Sequence, residues 1–198
     1  MNLLIDVGNS RVKWSIYNQD EIFEYNTLDK LDFNYFSNVL MRFSDVKNVA
    51  YCNNKDHNNN FLNKINHLDV NIYNVSETLV LPFESHYNSI QNLGCDRIAL
   101  CCGAVKNYMH DILVIDLGTC ITYDLIINKK HLGGQISPGL NIRFKSVNSF
   151  TKKLPLLKFN KNIKFTGDST KTSLEVGIAD SVIFEIDGVI KKYINKYP

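Results

Sequence analysis

No two of the five cysteines (Cys52, Cys95, Cys101, Cys102 and Cys120) have the C-x-x-C spacing of a zinc or redox site. Their odd number argues against a disulfide framework and for reduced thiols in a cytoplasm. Long apolar runs are missing as well. None approaches the ~20 residues that span a bilayer, and Leu3-Leu4-Ile5 meets Asp6 at once, too soon for the core of a signal peptide. Nor is there an excess of one charge. Lys and Arg number 22 against 20 Asp and Glu, a formal net charge of +2, without the basic surplus of a general nucleic-acid binder. These absences predict a soluble, cytoplasmic protein that partners neither membrane nor nucleic acid. The five histidines are scattered, with no metal-ligand spacing. One asymmetry remains: eight basic residues between Arg143 and Lys171 face a single acid, Asp168. It reads as a solvated surface or a lure for small anions.

What the chain has is a globular composition. Its 198 residues are 44% apolar and 21% charged, enough for a core and long enough for one large or two small domains. An internal repeat organises it. Leu3, Ile5, Asp6, Gly8 and Ile16 recur 110 residues later as Leu113, Ile115, Asp116, Gly118 and Ile126. Each copy reads as strand, Gly turn, strand (Val12–Tyr17 in the first, Ile121–Ile127 in the second). Duplicated folds facing each other are the expectation.

Between the copies the pattern predicts strands at Glu21–Tyr25, Asn48–Cys52 and Val70–Asn74 and a helix around Phe33–Phe43, with weaker helical character over 61–67. The Asn-rich stretch 53–60 reads as a surface turn. Ile98, Cys101, Cys102, Val105 and Met109 recur at helical spacing after Asp96, so the two cysteines read as core. A last helix is expected from about Ser173 to Ile194, with Thr172-Ser173-Leu174-Glu175 at capping-box spacing. Alternating strands and helices argue for an α/β architecture.

The candidate chemistry sits at the turns. Asp6-Val7-Gly8-Asn9-Ser10 offers a carboxylate at a strand end for a divalent metal. The Gly8 turn and the Asn9 and Ser10 side chains could reach phosphate oxygens, and Lys13 adds a positive charge. A single Asp-x-Gly is equally a plain β-turn; the second copy, Asp116-Leu117-Gly118-Thr119, favours the phosphate reading. Two such turns would clamp a nucleotide triphosphate, which is most of what phosphoryl transfer needs. In Gly94-Cys95-Asp96-Arg97, Asp96 is either a helix N-cap or a base for a substrate hydroxyl, with Arg97 binding an anionic group. Gly133-Gly134-Gln135-Ile136-Ser137-Pro138-Gly139 reads as a loop or as a place of close backbone approach. Gly167-Asp168-Ser169-Thr170 is either a helix cap or a ligand contact through Thr170.

In this order, the Asp6–Ser10, Gly94–Arg97, Asp116–Thr119 and Gly133–Gly139 motifs resemble the bacterial type III pantothenate kinases. Tyr87 and Thr170 also stand where that family has a Tyr and a Thr. The resemblance runs from residue 3 to about 180. It implies an actin-like ATPase fold of two tandem ribonuclease-H-like domains, here 1–85 and 86–198, with a cleft between them. It implies ATP-dependent phosphorylation of pantothenate, the first committed step toward coenzyme A. Asp6, Gly8, Asn9, Ser10, Lys13, Gly118 and Thr119 would then serve ATP, and Asp6 and Asp116 the metal. Asp96 would be the general base, and Tyr87, Gly94, Asp96, Arg97 and Thr170 would hold pantothenate. The family uses Mg²⁺ with K⁺ or NH₄⁺ and forms homodimers, with the Gly-rich loop at the interface. Ser10 stands where many members have Thr, Ile90 where many have Pro, and longer members continue into a Gly-rich segment near the adenosine. The alternatives are a regulatory accessory protein of the same fold and an actin-like or chaperone ATPase, for whose extra subdomains 198 residues leave little room.

Overall fold

A computed structural model of the chain describes residues 1–19, 21–54, 60–75, 79–88 and 90–197. Its first sheet contains β1 (Asn2–Val7), β2 (Val12–Asn18), β3 (Glu21–Leu28), β4 (Asn48–Asn53) and β5 (Asn71–Asn74), in the order β3-β2-β1-β4-β5. Short turns make β1–β2–β3 an antiparallel meander, whereas β1, β4 and β5 run parallel. The parallel steps need crossovers, which α1 (Phe33–Arg42) and α2 (Asn60–Ile65) supply.

Alternation sets the faces. Leu3, Ile5 and Val7 on β1 and Val12, Trp14 and Ile16 on β2 point into one core with Phe36, Val39, Phe61, Leu62 and Ile65 from the two helices. Burying each such side chain contributes about 1.5–3 kcal/mol. Trp14 lies edge-on to Tyr35 and Phe36, with ring centroids 5.9 and 6.2 Å away. Asp32 caps α1 by accepting the Tyr35 N–H at 2.9 Å.

The rest of the chain carries β6 (Glu84–Ser85), α3 (Cys95–Asn107), β7 (Ile112–Leu117), β8 (Cys120–Ile127), β9 (Lys130–Pro138), α4 (Leu140–Phe150) and α5 (Thr170–Lys196). The second sheet has the order β6-β9-β8-β7. Its β7–β8–β9 hairpins repeat the first three strands of the first sheet. Asn128 and Lys129 both take positive φ, 50° and 59°, as a tight hairpin turn requires. The fold is α/β, with the strand order and directions of a ribonuclease-H-like domain in the first sheet. By packing, the chain divides into a first unit, Met1–Ile112 with Ile126–Leu132, and a second, Leu113–Leu125 with Gly133–Pro198. The second unit buries Ile121, Tyr123 and Val189 against Leu113, Ile115, Val182, Ile186 and Tyr193. Among the described residues no helix is long and apolar enough to cross a membrane.

Several sequence expectations need correction. Cys52 and Cys95 are joined in a disulfide, with their Cα atoms 5.6 Å apart, where five reduced thiols were expected. The pairing arises because α3 packs on β4, which no local spacing reveals. Cys101 is buried and Cys102 half-buried as expected, and burial pushes the Cys102 thiol pKa up. Met109 lies beyond the end of α3 and is 95% exposed. Helix α5 starts at Thr170, capped by Ser169 in a reciprocal box with Thr172; Glu175, expected in the box, is buried instead. Residues 133–138 belong to β9 rather than to a loop. Arg143 is not part of a solvated basic surface, because it pairs with Glu185. The middle of the Asn-rich stretch, 55–59, lies outside the described residues.

Candidate active site

In the first unit, β1 carries Asp6 at its C-terminal end, in the middle of the sheet and just before the turn. The Gly8 N–H closes that turn onto the Arg11 carbonyl at 3.0 Å, leaving Asn9 and Ser10 exposed at its tip. Asp6 is directly opposite Lys13 on β2 and Cys52 on β4. Directly paired residues share a face of the sheet, and this face is the one turned away from the core side chains.

Helix α3 is fastened beside the turn in two ways. One is the Cys52–Cys95 disulfide. The other is Asn54, whose N–H reaches the Val7 carbonyl at 3.4 Å while its Oδ1 accepts the Cys95 N–H at 3.1 Å. Gly94 is the N-cap of α3, so Asp96 stands one residue inside the helix and is not its cap. A Cβ on Gly94 would come within 2.6 Å of Asp96 Oδ1 and 3.3 Å of Asn54 Oδ1, so the glycine makes room for both. Asp96 Oδ1 accepts the Arg97 N–H at 2.8 Å. The Arg97 side chain is buried and its guanidinium lies 5.7 Å from the Tyr87 ring. Thus one unit gathers Asp6, Gly8, Asn9, Ser10 and Lys13 with Tyr87, Gly94, Asp96 and Arg97.

The second unit holds the other turn. Gly118 and Thr119 alone link β7 to β8, and the Gly118 N–H donates to the Cys120 carbonyl at 3.0 Å. A Cβ on Gly118 would meet Asp116 Oδ2 at 3.3 Å, so the glycine keeps space open beside that carboxylate. Carboxylate oxygens of this kind suit a hard divalent cation such as Mg²⁺. Gly139, the N-cap of α4, presses on the same turn: its N–H donates to the Thr119 carbonyl at 3.0 Å, and a Cβ there would lie 2.4 Å from that oxygen. The close approach expected of the Gly-rich segment is therefore made to the chain's own turn.

Behind it, Glu185 on α5 accepts hydrogen bonds from Ser137, Arg143 and Tyr123, the last at 2.9 Å. Arg143 also donates to Ser181 Oγ at 3.1 Å and to the Pro138 carbonyl at 2.8 Å. Burial pushes the Glu185 carboxyl up, but these donors outweigh it and leave its pKa below the ordinary value. The Tyr123 hydroxyl is pushed up to about 12 by burial and by its bond to Glu185. Thr170, by contrast, is the exposed first residue of α5.

The profile of the type III pantothenate kinases matches residues 2–192. A type III pantothenate kinase of Christiangramia forsetii is 36% identical over the whole chain and 82% of its own length. One of Phocaeicola vulgatus is 35% identical with the same coverage. The chain belongs to the type III pantothenate kinase family. A crystal structure from Campylobacter jejuni, assigned to the Baf family of transcriptional activators, is similar at a TM-score of 0.60 and 26% identity, over 94% of this chain and 78% of that one.

Within this type III pantothenate kinase chain, sequence reasoning missed the residues that act through others. Asn54 was absorbed into an Asn-rich turn. Gly139 stands out in the Gly-rich run, but its partner turn does not, and Glu185 and the buried His131 carry no local signal, since their contacts come from distant strands and helices. A hollow of about 300 Å³ walled by Val105, Tyr108, Met109 and Lys129 has none of the expected site residues in its lining.

Proposed function

We propose that the chain transfers the γ-phosphoryl group of ATP to the primary hydroxyl of pantothenate, giving 4'-phosphopantothenate on the route to coenzyme A. The observation that carries this reading is the joining of the Asp6–Ser10 turn to the start of α3 through Asn54. It ties that turn to the helix start on which Asp96 and Arg97 follow, which supports reading them as parts of one site. In the proposed step the pantothenate hydroxyl oxygen forms a bond to the γ-phosphorus, the bond to the β,γ-bridging oxygen breaks, and ADP leaves. Asp96 takes the hydroxyl proton.

The tight turns closed by Gly8 and Gly118 would bring the backbone and side chains of Asn9, Ser10 and Thr119 to phosphate oxygens, with Lys13 adding positive charge. Asp6 and Asp116 would each offer a carboxylate to Mg²⁺, which when bound neutralises charge on the transferring phosphate. Tyr87, Gly94, Arg97 and Thr170 would hold pantothenate, with K⁺ or NH₄⁺ as monovalent partner and the cytoplasm as location. We read 1–85 and 86–198 as the two ribonuclease-H-like halves; β1–β5 fall in the first and β7–β9 in the second. A homodimer is part of the same reading, favoured by Ile183, Phe184 and Ile194, all exposed on α5. Sedimentation at micromolar concentration should give twice the mass of the chain, and a monomer would remove this element.

The test is ATP consumption with Mg²⁺ and K⁺, with and without pantothenate, for the wild type and Asp96→Asn. Turnover should require pantothenate and fall about 10²–10⁴-fold in Asp96→Asn. ATP consumption indifferent to pantothenate, or full activity in the folded variant, would sink the assignment.

A further inference from the structure

Strand β6 is only two residues long, too short to hold itself in register. It pairs with β9 as Glu84↔Lys130 and Ser85↔His131. The Glu84 N–H reaches the Lys129 carbonyl at 3.0 Å and the His86 N–H the His131 carbonyl at 2.8 Å. There the backbone pairing changes partner: the Tyr87 N–H donates to the Ser85 side-chain Oγ at 3.2 Å. That same Oγ lies 3.3 Å from His131 Nδ1. A hydroxyl has one donor and two acceptor sites, so Ser85 can serve both neighbours at once.

The rings complete the arrangement. His131 is fully buried, and its ring lies 6.1 Å from that of Tyr87 and 6.0 Å from that of Phe83. The Arg97 guanidinium stands 5.7 Å from the Tyr87 ring, within cation–π reach. Tyr87 is therefore tied at its backbone by Ser85, and its ring is set between His131 and the arginine that opens α3.

We infer that Ser85 and His131 are positioning residues for the pantothenate site: they fix Tyr87, and through it the Arg97 side chain, in the place that receives the substrate. This rests on the reading of Tyr87 and Arg97 as pantothenate-binding residues. Neither Ser85 nor His131 is among the residues proposed to meet the transferred group, so their effect belongs to pantothenate affinity rather than to the phosphoryl-transfer step.

The test compares Ser85→Ala, Ser85→Thr, Tyr87→Ala and the Ser85→Ala/Tyr87→Ala double variant in steady-state kinetics on the full chain, with melting curves for each. Ser85→Ala should raise KM for pantothenate about three- to tenfold, the loss of roughly one hydrogen bond, with kcat and KM for ATP nearly unchanged. Ser85→Thr, which keeps the hydroxyl, should restore KM. In the Tyr87→Ala background the Ser85 change should add nothing, because residues acting through one another are not additive. A lowered melting temperature in Ser85→Ala with unchanged KM would reduce Ser85 to a structural role and overturn the inference. So would a KM increase that persists undiminished without the Tyr87 ring. If Tyr87→Ala alone leaves KM for pantothenate as it was, the assignment of Tyr87 to the substrate fails first, and this inference with it.

Discussion

Gly94 and Gly139 show how differently two glycines can matter. At Gly94 an added methyl would meet the end of the Asp96 side chain, which can swing away. Gly94→Ala should therefore leave the melting temperature nearly unchanged and lower turnover by displacing the carboxylate, a split read by pairing calorimetry with the ATP assay. At Gly139 the methyl would meet the Thr119 and Gly118 carbonyls at 2.4 and 2.5 Å, and backbone cannot swing. Gly139→Ala should cost about 1–3 kcal/mol in denaturant unfolding and raise KM for ATP by distorting the 118–119 turn. The glycines at 8 and 118 were legible because the repeat displays them twice. Gly139 was noticed as part of a dense Gly-Pro run, but its partner was invisible, since the contact joins the end of β9 to the turn after β7.

Strands and helices were read more easily than their ends. Alternation and helical spacing reveal β1, β2, α1 and α3 because each has one buried face, whereas β4 and β8, buried on both faces over Tyr51–Cys52 and Tyr123–Ile126, show as short β-rich runs. The start of α5 was placed late because the sequence offers two overlapping caps. The nearer one is used: Thr172 Oγ1 accepts the N–H groups of Asp168 and Ser169, both at 3.0 Å, and donates to Asp168 Oδ1. Ser169→Ala should destabilise the protein by about 1 kcal/mol, visible as a shift in urea midpoint at constant slope. The tie between α5, α4 and β9 through Glu185 makes a pH prediction. Its carboxyl pKa lies below the ordinary 4.5, so the stability it lends is fully present above that value and is lost as pH falls through the lower, folded value. Glu185→Gln should lower the melting temperature at neutral pH but lose less of it on acidification from about pH 5 to 3.

Across the chain, the spaced repeat announced duplicated strand–turn–strand elements, and the order of motifs announced the family. The disulfide was not legible: 43 residues separate its cysteines, and only the docking of α3 on β4 unites them. Closing a loop of that length stabilises by about 4 kcal/mol at most in the chain-entropy account. Adding a dithiol reductant should move the urea midpoint down, and Cys52→Ser should reproduce the shift and abolish the response to reductant. A midpoint indifferent to reductant would show that the two sulfurs are not joined in solution.

The chain has one tryptophan. Trp14 is 3% exposed in the core of the first unit, against Tyr35 and Phe36. Its fluorescence therefore reports on the Asp6 turn's own sheet and is blind to the loss of α4 and α5. Far-ultraviolet circular dichroism, dominated by helices, counts the 27-residue α5 heavily. Superimposable melts by the two signals would mean that the units lose structure together. A dichroism loss that precedes the fluorescence change would mean that the second turn can dissolve while the first stays built.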